Sequence, residues 1–190
     1  AALQQVLAEQ GNEIAAFISS PYHHPAYQDN VLPAEGYWGE VHALLNQHGV
    51  ISICDDVRAG FRIDIGGSNE YFGYKPDLIC FCKAMANGYP ISALLGIDSL
   101  KEAAAAVFQT GSYWFSAAPM AAALACLKEL KHIEAPKLIL QTGKKVTDGL
   151  VEIAGKHGLE LKVTGMLSMP YLRTEHEGGI EFHQSLCGEC

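Results

Sequence analysis

The sequence predicts an α/β fold with a largely parallel sheet, on three observations. Apolar runs of strand length, "IAAFIS" (14–19), "VISIC" (50–54) and "LICFC" (78–82), recur with helical patterns or turn-rich loops between them. These runs do not alternate with polar residues, as expected of strands covered on both faces. Glycines end helical patterns shortly before the first two runs, at Gly11 and Gly49.

The elements follow in order. Residues 1–10 have a helical pattern closed by Gly11, and strand 14–19 runs into Pro21. "PYHHPAYQDNVLP" is a loop by its Pro, Asn and Asp content. A helix over 35–49 places Trp38, Val41, Leu44 and Leu45 on one face, and strand 50–54 follows. Beyond a Gly-rich loop come strands 78–82 and 91–97, then helices at 98–108, 116–132 and 134–157. "LELKVTG" and "LSMPYLRT" are strands of an alternating type. The change of strand type predicts a first domain over 1–158 and the start of a smaller one over 159–190.

Composition narrows the functional classes. Of 190 residues 49% are hydrophobic, enough for one sizeable core. Thirteen Lys and Arg against 21 Asp and Glu give a net charge of -8, which argues against nucleic acid or an anionic membrane as partner. No apolar stretch approaches the roughly 20 residues of a membrane span. Six cysteines are too few for a disulfide framework, and Cys54, Cys80, Cys82 and Cys126 lie in apolar runs. A reducing cytoplasm is the expected location. The chain starts within a helical pattern and stops at "SLCGEC", so a fragment of a longer protein is expected.

"ISICDDVRAGFR" (51–62) runs an apolar strand straight into Asp55 and Asp56, although acidic residues are poor strand formers and costly to bury. Lys83 stands just after "LICFC". In open α/β sheets ligands gather outside the carboxyl ends of the strands, so neighbouring strands would put one carboxylate and one amine in a single crevice. A pyridine cofactor uses such a pair, the lysine as a Schiff base with an aldehyde and the carboxylate on the ring nitrogen. A strand-end lysine is also a common solvated turn residue, and an Asp pair a common cap. Spacing alone leaves these readings open.

Two longer motifs decide. "CDDVRAGFR" (54–62) resembles the Asp-Glu-Val-x-Thr-Gly-Phe-Arg signature of class III, pyridoxal-phosphate-dependent aminotransferases. "KPDLICFCKAMANGYPISALLG" (75–96) resembles the segment that carries their Schiff-base lysine. "YFGYKPD" and "TGSYWFSAAPMAAALACLKEL" extend the resemblance through most of residues 13–173, with the glutamate-1-semialdehyde 2,1-aminomutase-like branch as the nearest look. The resemblance implies part of the large domain of fold type I, pyridoxal 5'-phosphate as cofactor, and transfer of an amino group between an amino donor and a keto or aldehyde acceptor. It also implies a homodimer with sites at the interface.

Carried over by position, Asp55 pairs with the pyridinium nitrogen, Val57 packs on one ring face and Lys83 forms the Schiff base. Ser112 stands where a threonine usually reaches a phosphate across the dimer, with Tyr113 as a second candidate. Asp56 replaces the usual glutamate, and Ala59 a frequent threonine. The Gly-Ser/Thr-rich phosphate turn of these enzymes lies upstream of residue 1 in the resemblance, and the substrate-carboxylate arginine lies in their small domain. Transamination and 2,1-aminomutation use the same residues, so the sequence does not separate them. A catalytically incomplete folding or dimerisation module is the other reading of a partial site.

Further features attract weaker readings. Cys187-x-x-Cys190 and Cys80-x-Cys82 lack a second pair or finger-spaced histidines, so no metal is expected. His23 and His24 lie in a Pro-rich loop and read as surface or substrate-entrance residues. "GGSNEYFG" (66–73) lacks the feeding strand and Gly-Lys-Ser/Thr ending of a nucleotide loop. Arg58 and Arg62 read as solvated or ion-paired. The aromatic run Tyr113, Trp114 and Phe115 could close over a partner's cofactor pocket.

Overall fold

A computed structural model describes residues 2–22, 28–109, 111, 112, 115–174, 181, 185 and 188. The chain divides into two compact units, Ala1–Pro21 with Pro33–Ala135, and Tyr22–Leu32 with Pro136–Cys190.

The first unit is built on a four-stranded sheet of β1 (Ala16–Ser19), β2 (Ile51–Asp55), β3 (Leu78–Phe81) and β4 (Ala93–Gly96), paired in that order. β1, β2 and β3 are parallel, and β4 returns antiparallel to β3. The parallel crossover from β1 to β2 is filled by α2 (Tyr37–Gln47), which ends at His48 before Gly49 turns the chain with φ +67°. α1 (Ala2–Gln10) and α2 bury Leu7 and Leu45 beside Val50, with Leu3, Ile14, Phe17, Val41 and Leu44 around them. A second cluster joins Phe61, Phe81, Met85, Ala86 and Ala123, the last from α5 (Ala117–His132). Small alanines let α5 lie close to the turn that follows β3.

Several predicted limits shift. Asp55 is the last residue of β2 rather than the residue beyond it, because its backbone still pairs with Cys80. The predicted helix 98–108 is a 3₁₀ turn (Asp98–Leu100) and a short α4 (Lys101–Ala106), and α3 (Ser68–Tyr71) occupies the Gly-rich loop. α3, at four residues, is too short to show an apolar periodicity in the sequence.

The second unit contains α6 (Ala135–Lys156) from its second residue on, and the antiparallel pair β5 (Leu161–Thr164) and β6 (Tyr171–Thr174). Tyr22 pins the β5–β6 connection: its hydroxyl accepts from the Met166 amide and Asn30 and donates to the Met169 carbonyl. Asp29 binds Lys162 at 2.8 Å and Arg173 at 3.0 Å, which holds the two strands' charged ends together. No helix among the described residues is long and apolar enough to cross a membrane.

Candidate active site

Parallel pairing sets Asp55 opposite Cys80, and Lys83 begins the 3₁₀ turn Lys83–Met85 just past β3. The carboxylate and the amine therefore stand at the carboxyl ends of adjacent parallel strands, as the sequence reading required. Lys83 is exposed and has φ 35°, a left-handed backbone that a non-glycine residue rarely takes. Buried neighbours on the same turn hold it there: Met85 and Ala86 belong to the Phe61–Phe81 cluster, and Cys126 of α5 donates its thiol to the Ala84 carbonyl at 3.3 Å. Unusual backbone held by packing is a common property of functional turns.

The adjacent carboxylates have separate environments. Asp55 is half-buried and accepts the Val57 amide on Oδ1 at 3.2 Å, which orients the side chain. Asp56 is 1% exposed, and both its oxygens are taken by Ser68, the amide at 2.8 Å and the hydroxyl at 2.6 Å. Burial raises the Asp56 carboxyl above its ordinary pKa, against the lowering effect of the Ser68 hydrogen bonds, and the charge of Asp55 adds to the rise. Asp56 thus ties down the start of α3, while among the described residues the second carboxylate oxygen of Asp55 has no hydrogen bond.

The opposite face of β2 carries a lock that sequence reading left without a role. Asp77 Oδ2 accepts both the amide and the hydroxyl of Ser52 at 2.7 Å, and the Asp77 amide donates to Ser52 Oγ at 3.0 Å. His42 Nδ1 lies 3.0 Å from the same hydroxyl, and Asn46 donates to His42 Nε2 at 3.1 Å, so Nδ1 carries the ring proton. Asp77 stands directly before β3, so the lock fixes the register of β2 on β3. The only sequence signal was the Pro-Asp-Leu of the lysine motif. Cys54, on the same buried face, has its thiol pushed up to about 12 by burial.

The other predicted residues are spread more widely. Val57 is half-buried one residue beyond Asp56, and Ala59 is buried. Ser112 is exposed in the segment before α5. Arg58 is exposed, while Arg62 donates to the Arg58 carbonyl; burial and the Arg58 charge lower its pKa. Cys80 is half-buried, and burial and the Asp55 charge raise its thiol. Tyr113, Trp114, His23, His24, Cys187 and Cys190 lie outside the described residues.

Residues 1–170 match the family described as aminotransferase class III. The chain belongs to that family. It is 38% identical over 170 residues to an aminopentol aminotransferase of Sphingopyxis macrogoltabida, covering 90% of this chain and 40% of the relative. It is 32% identical to a glutamate-1-semialdehyde 2,1-aminomutase of Methanocaldococcus jannaschii, over 88% of this chain and 39% of that one. The FumI protein of Sphingopyxis sp. MTA144, solved as its pyridoxal-phosphate internal aldimine, superposes with a TM-score of 0.83 at 38% identity, covering 90% of this chain and 41% of FumI. The chain therefore spans about two fifths of the length of these relatives. Class III aminotransferases use pyridoxal phosphate, and the donor set here fits that group: a primary amine on a fixed turn, a carboxylate with one oriented oxygen, and an aliphatic Val57 between them in sequence.

Proposed function

We propose that this chain is the lysine-bearing part of a pyridoxal-phosphate-dependent enzyme that transfers an amino group from an amino donor to a keto or aldehyde acceptor. The observation that carries the reading is the placement of Lys83 and Asp55 at the carboxyl ends of two paired parallel strands. When bound, the cofactor supplies an aldehyde that condenses with amines and a ring that takes up the electron pair of a broken bond.

Lys83 Nζ is the group that would hold the cofactor aldehyde, to be displaced by an amino substrate. Once displaced, the same nitrogen would take the proton from the substrate carbon that bears the amino group and return it to the former aldehyde carbon of the cofactor, so one residue would act as nucleophile, base and acid. Asp55 keeps a proton on the ring nitrogen, and the Val57 amide on Oδ1 prevents its carboxylate from turning away. Val57 supports one ring face. Ser112 reaches a phosphate in a homodimer, and the enzyme works in the cytoplasm. The site and dimer assignments rest on the family motifs and the two strand ends, and the location on the few cysteines lying in apolar runs.

A 2,1-aminomutase is the second reading, supported by relatives of that activity at 32% and 34% identity. A transaminase needs a keto acceptor for repeated turnover, and a mutase does not. The test of the main reading is borohydride reduction of the full-length protein with pyridoxal phosphate, followed by peptide mapping. One adduct on Lys83, absent from Lys83→Ala, is the expected result. Adducts spread over surface lysines, or full turnover by Lys83→Ala, refute it.

A further inference from the structure

The geometry points to Asp56 as a positioning residue: clamped on Ser68, it holds the backbone that presents Asp55 and Val57 to the cofactor ring. The inference rests on the functional reading above and extends it to a carboxylate that touches neither ring nor substrate.

Asp56 is fixed at four polar atoms. Its amide donates to the Cys80 carbonyl at 3.1 Å, tying it to β3, and its carbonyl accepts the Gly60 amide at 3.0 Å. Its two carboxylate oxygens hold Ser68, at the far end of the 57–67 loop. The residue therefore joins the strand that precedes Lys83 to both ends of the loop that carries Val57.

The loop is shaped around this clamp. A Cβ on Gly60 would fall 2.7 Å from the Asp56 carbonyl oxygen, and one on Gly67, at φ +108°, would fall 3.0 Å from Asp56 Oδ2. Phe61 takes φ 65° in the same loop while packing on Phe81 with ring centroids 4.7 Å apart. Burying a carboxylate costs free energy, and an apolar contact could have closed a loop without that cost. What the carboxylate adds is direction, since two charge-assisted hydrogen bonds fix Ser68 in distance and angle. The direction reaches the site because Val57, the next residue, donates its amide to Asp55 Oδ1. Loosening the clamp frees the Val57 amide, and with it the Asp55 carboxylate.

The test uses the full-length protein and three variants, Asp56→Asn, Ser68→Ala and Leu45→Val. Readouts are the dissociation constant of pyridoxal phosphate, the induced circular-dichroism band that reports ring orientation, and the unfolding midpoint. Wild-type protein is first trapped with borohydride; failure to label Lys83 overturns the functional reading, independently of Asp56. With Lys83 labelled, Asp56→Asn is expected to raise the dissociation constant about ten-fold or more and to diminish the dichroic band. Ser68→Ala moves both in the same direction by less, because the Ser68 amide remains. Leu45→Val trims the α1–α2 core, which holds neither the 57–67 loop nor Ser68, and lowers the unfolding midpoint with the band intact. If Ser68→Ala and any folded Asp56→Asn bind within about two-fold of wild type with an unchanged band, the positioning role is wrong. A Leu45→Val variant that loses the band equally overturns it too.

Discussion

Replacing Asp77 by alanine tests whether the register of β2 on β3 is held by one side chain. The substitution removes two hydrogen bonds to a carboxylate, from the Ser52 amide and hydroxyl, both at 2.7 Å. Ser52 is 4% exposed, so its amide cannot turn freely to water. A hydrogen bond to a charged group contributes about 1.5–3 kcal/mol, and Asp77 is only half-buried, so the lower part of that range applies to each. The expected loss is therefore about 3–4 kcal/mol for Asp77→Ala, and about half for Asp77→Asn, which keeps a carbonyl acceptor. Urea unfolding of the full-length protein, followed at 222 nm, is the assay, with ΔΔG taken from the midpoint at unchanged slope. Borohydride trapping at Lys83 should fall in parallel, since the lock stands directly before the strand that leads to the lysine. A loss below about 0.5 kcal/mol at constant slope would refute the reasoning, because changes that small are typical of surface substitutions away from any such feature.

Other substitutions probe separate parts of the molecule. Gly143→Ala puts a Cβ 1.8 Å from the Leu167 carbonyl oxygen, so unfolding should show a loss of about 1–3 kcal/mol or more; a neutral result would mean that α6 moves away without cost. Asp29 has its carboxyl lowered from 3.8 to about 2 by hydrogen bonds from Arg173 and then Lys162. A depressed carboxyl stabilises the fold above its unfolded pKa, so the stability difference between wild type and Asp29→Asn should be full near neutrality and vanish as pH falls from about 4 towards 2. A difference that persists unchanged at the lower limit would contradict this. Cys54, 0% exposed with its thiol pushed up to about 12, should resist thiol reagents at pH 8 until the protein unfolds. Rapid native-state labelling mapped to Cys54 would count against the buried face described for β2.

The elements were legible where local chemistry is unambiguous. Apolar runs at 50–54 and 78–82, with Gly49 ending a periodic helix, marked β2, β3 and α2 to within a residue or two. Asp55 and Lys83 were legible as a pair because α/β sheets expose the carboxyl ends of their strands. The direction of β4 was not legible, since an apolar strand looks alike whichever way it runs, and its antiparallel pairing emerges only from the β3–β4 register.

What the sequence by itself determined was the alternation of strand and helix, the family, and which two residue types stand at the strand ends. The tertiary structure decided what the second of two adjacent aspartates binds. Asp56 is taken by Ser68, twelve residues on, and Ser52 is joined to Asp77 across twenty-five. Those partners are selected by the closing of the 57–67 loop and the pairing of β2 with β3. Periodicity and capping rules act within a turn or two of the chain, whereas a buried carboxylate is placed by whichever distant donor packing brings within reach.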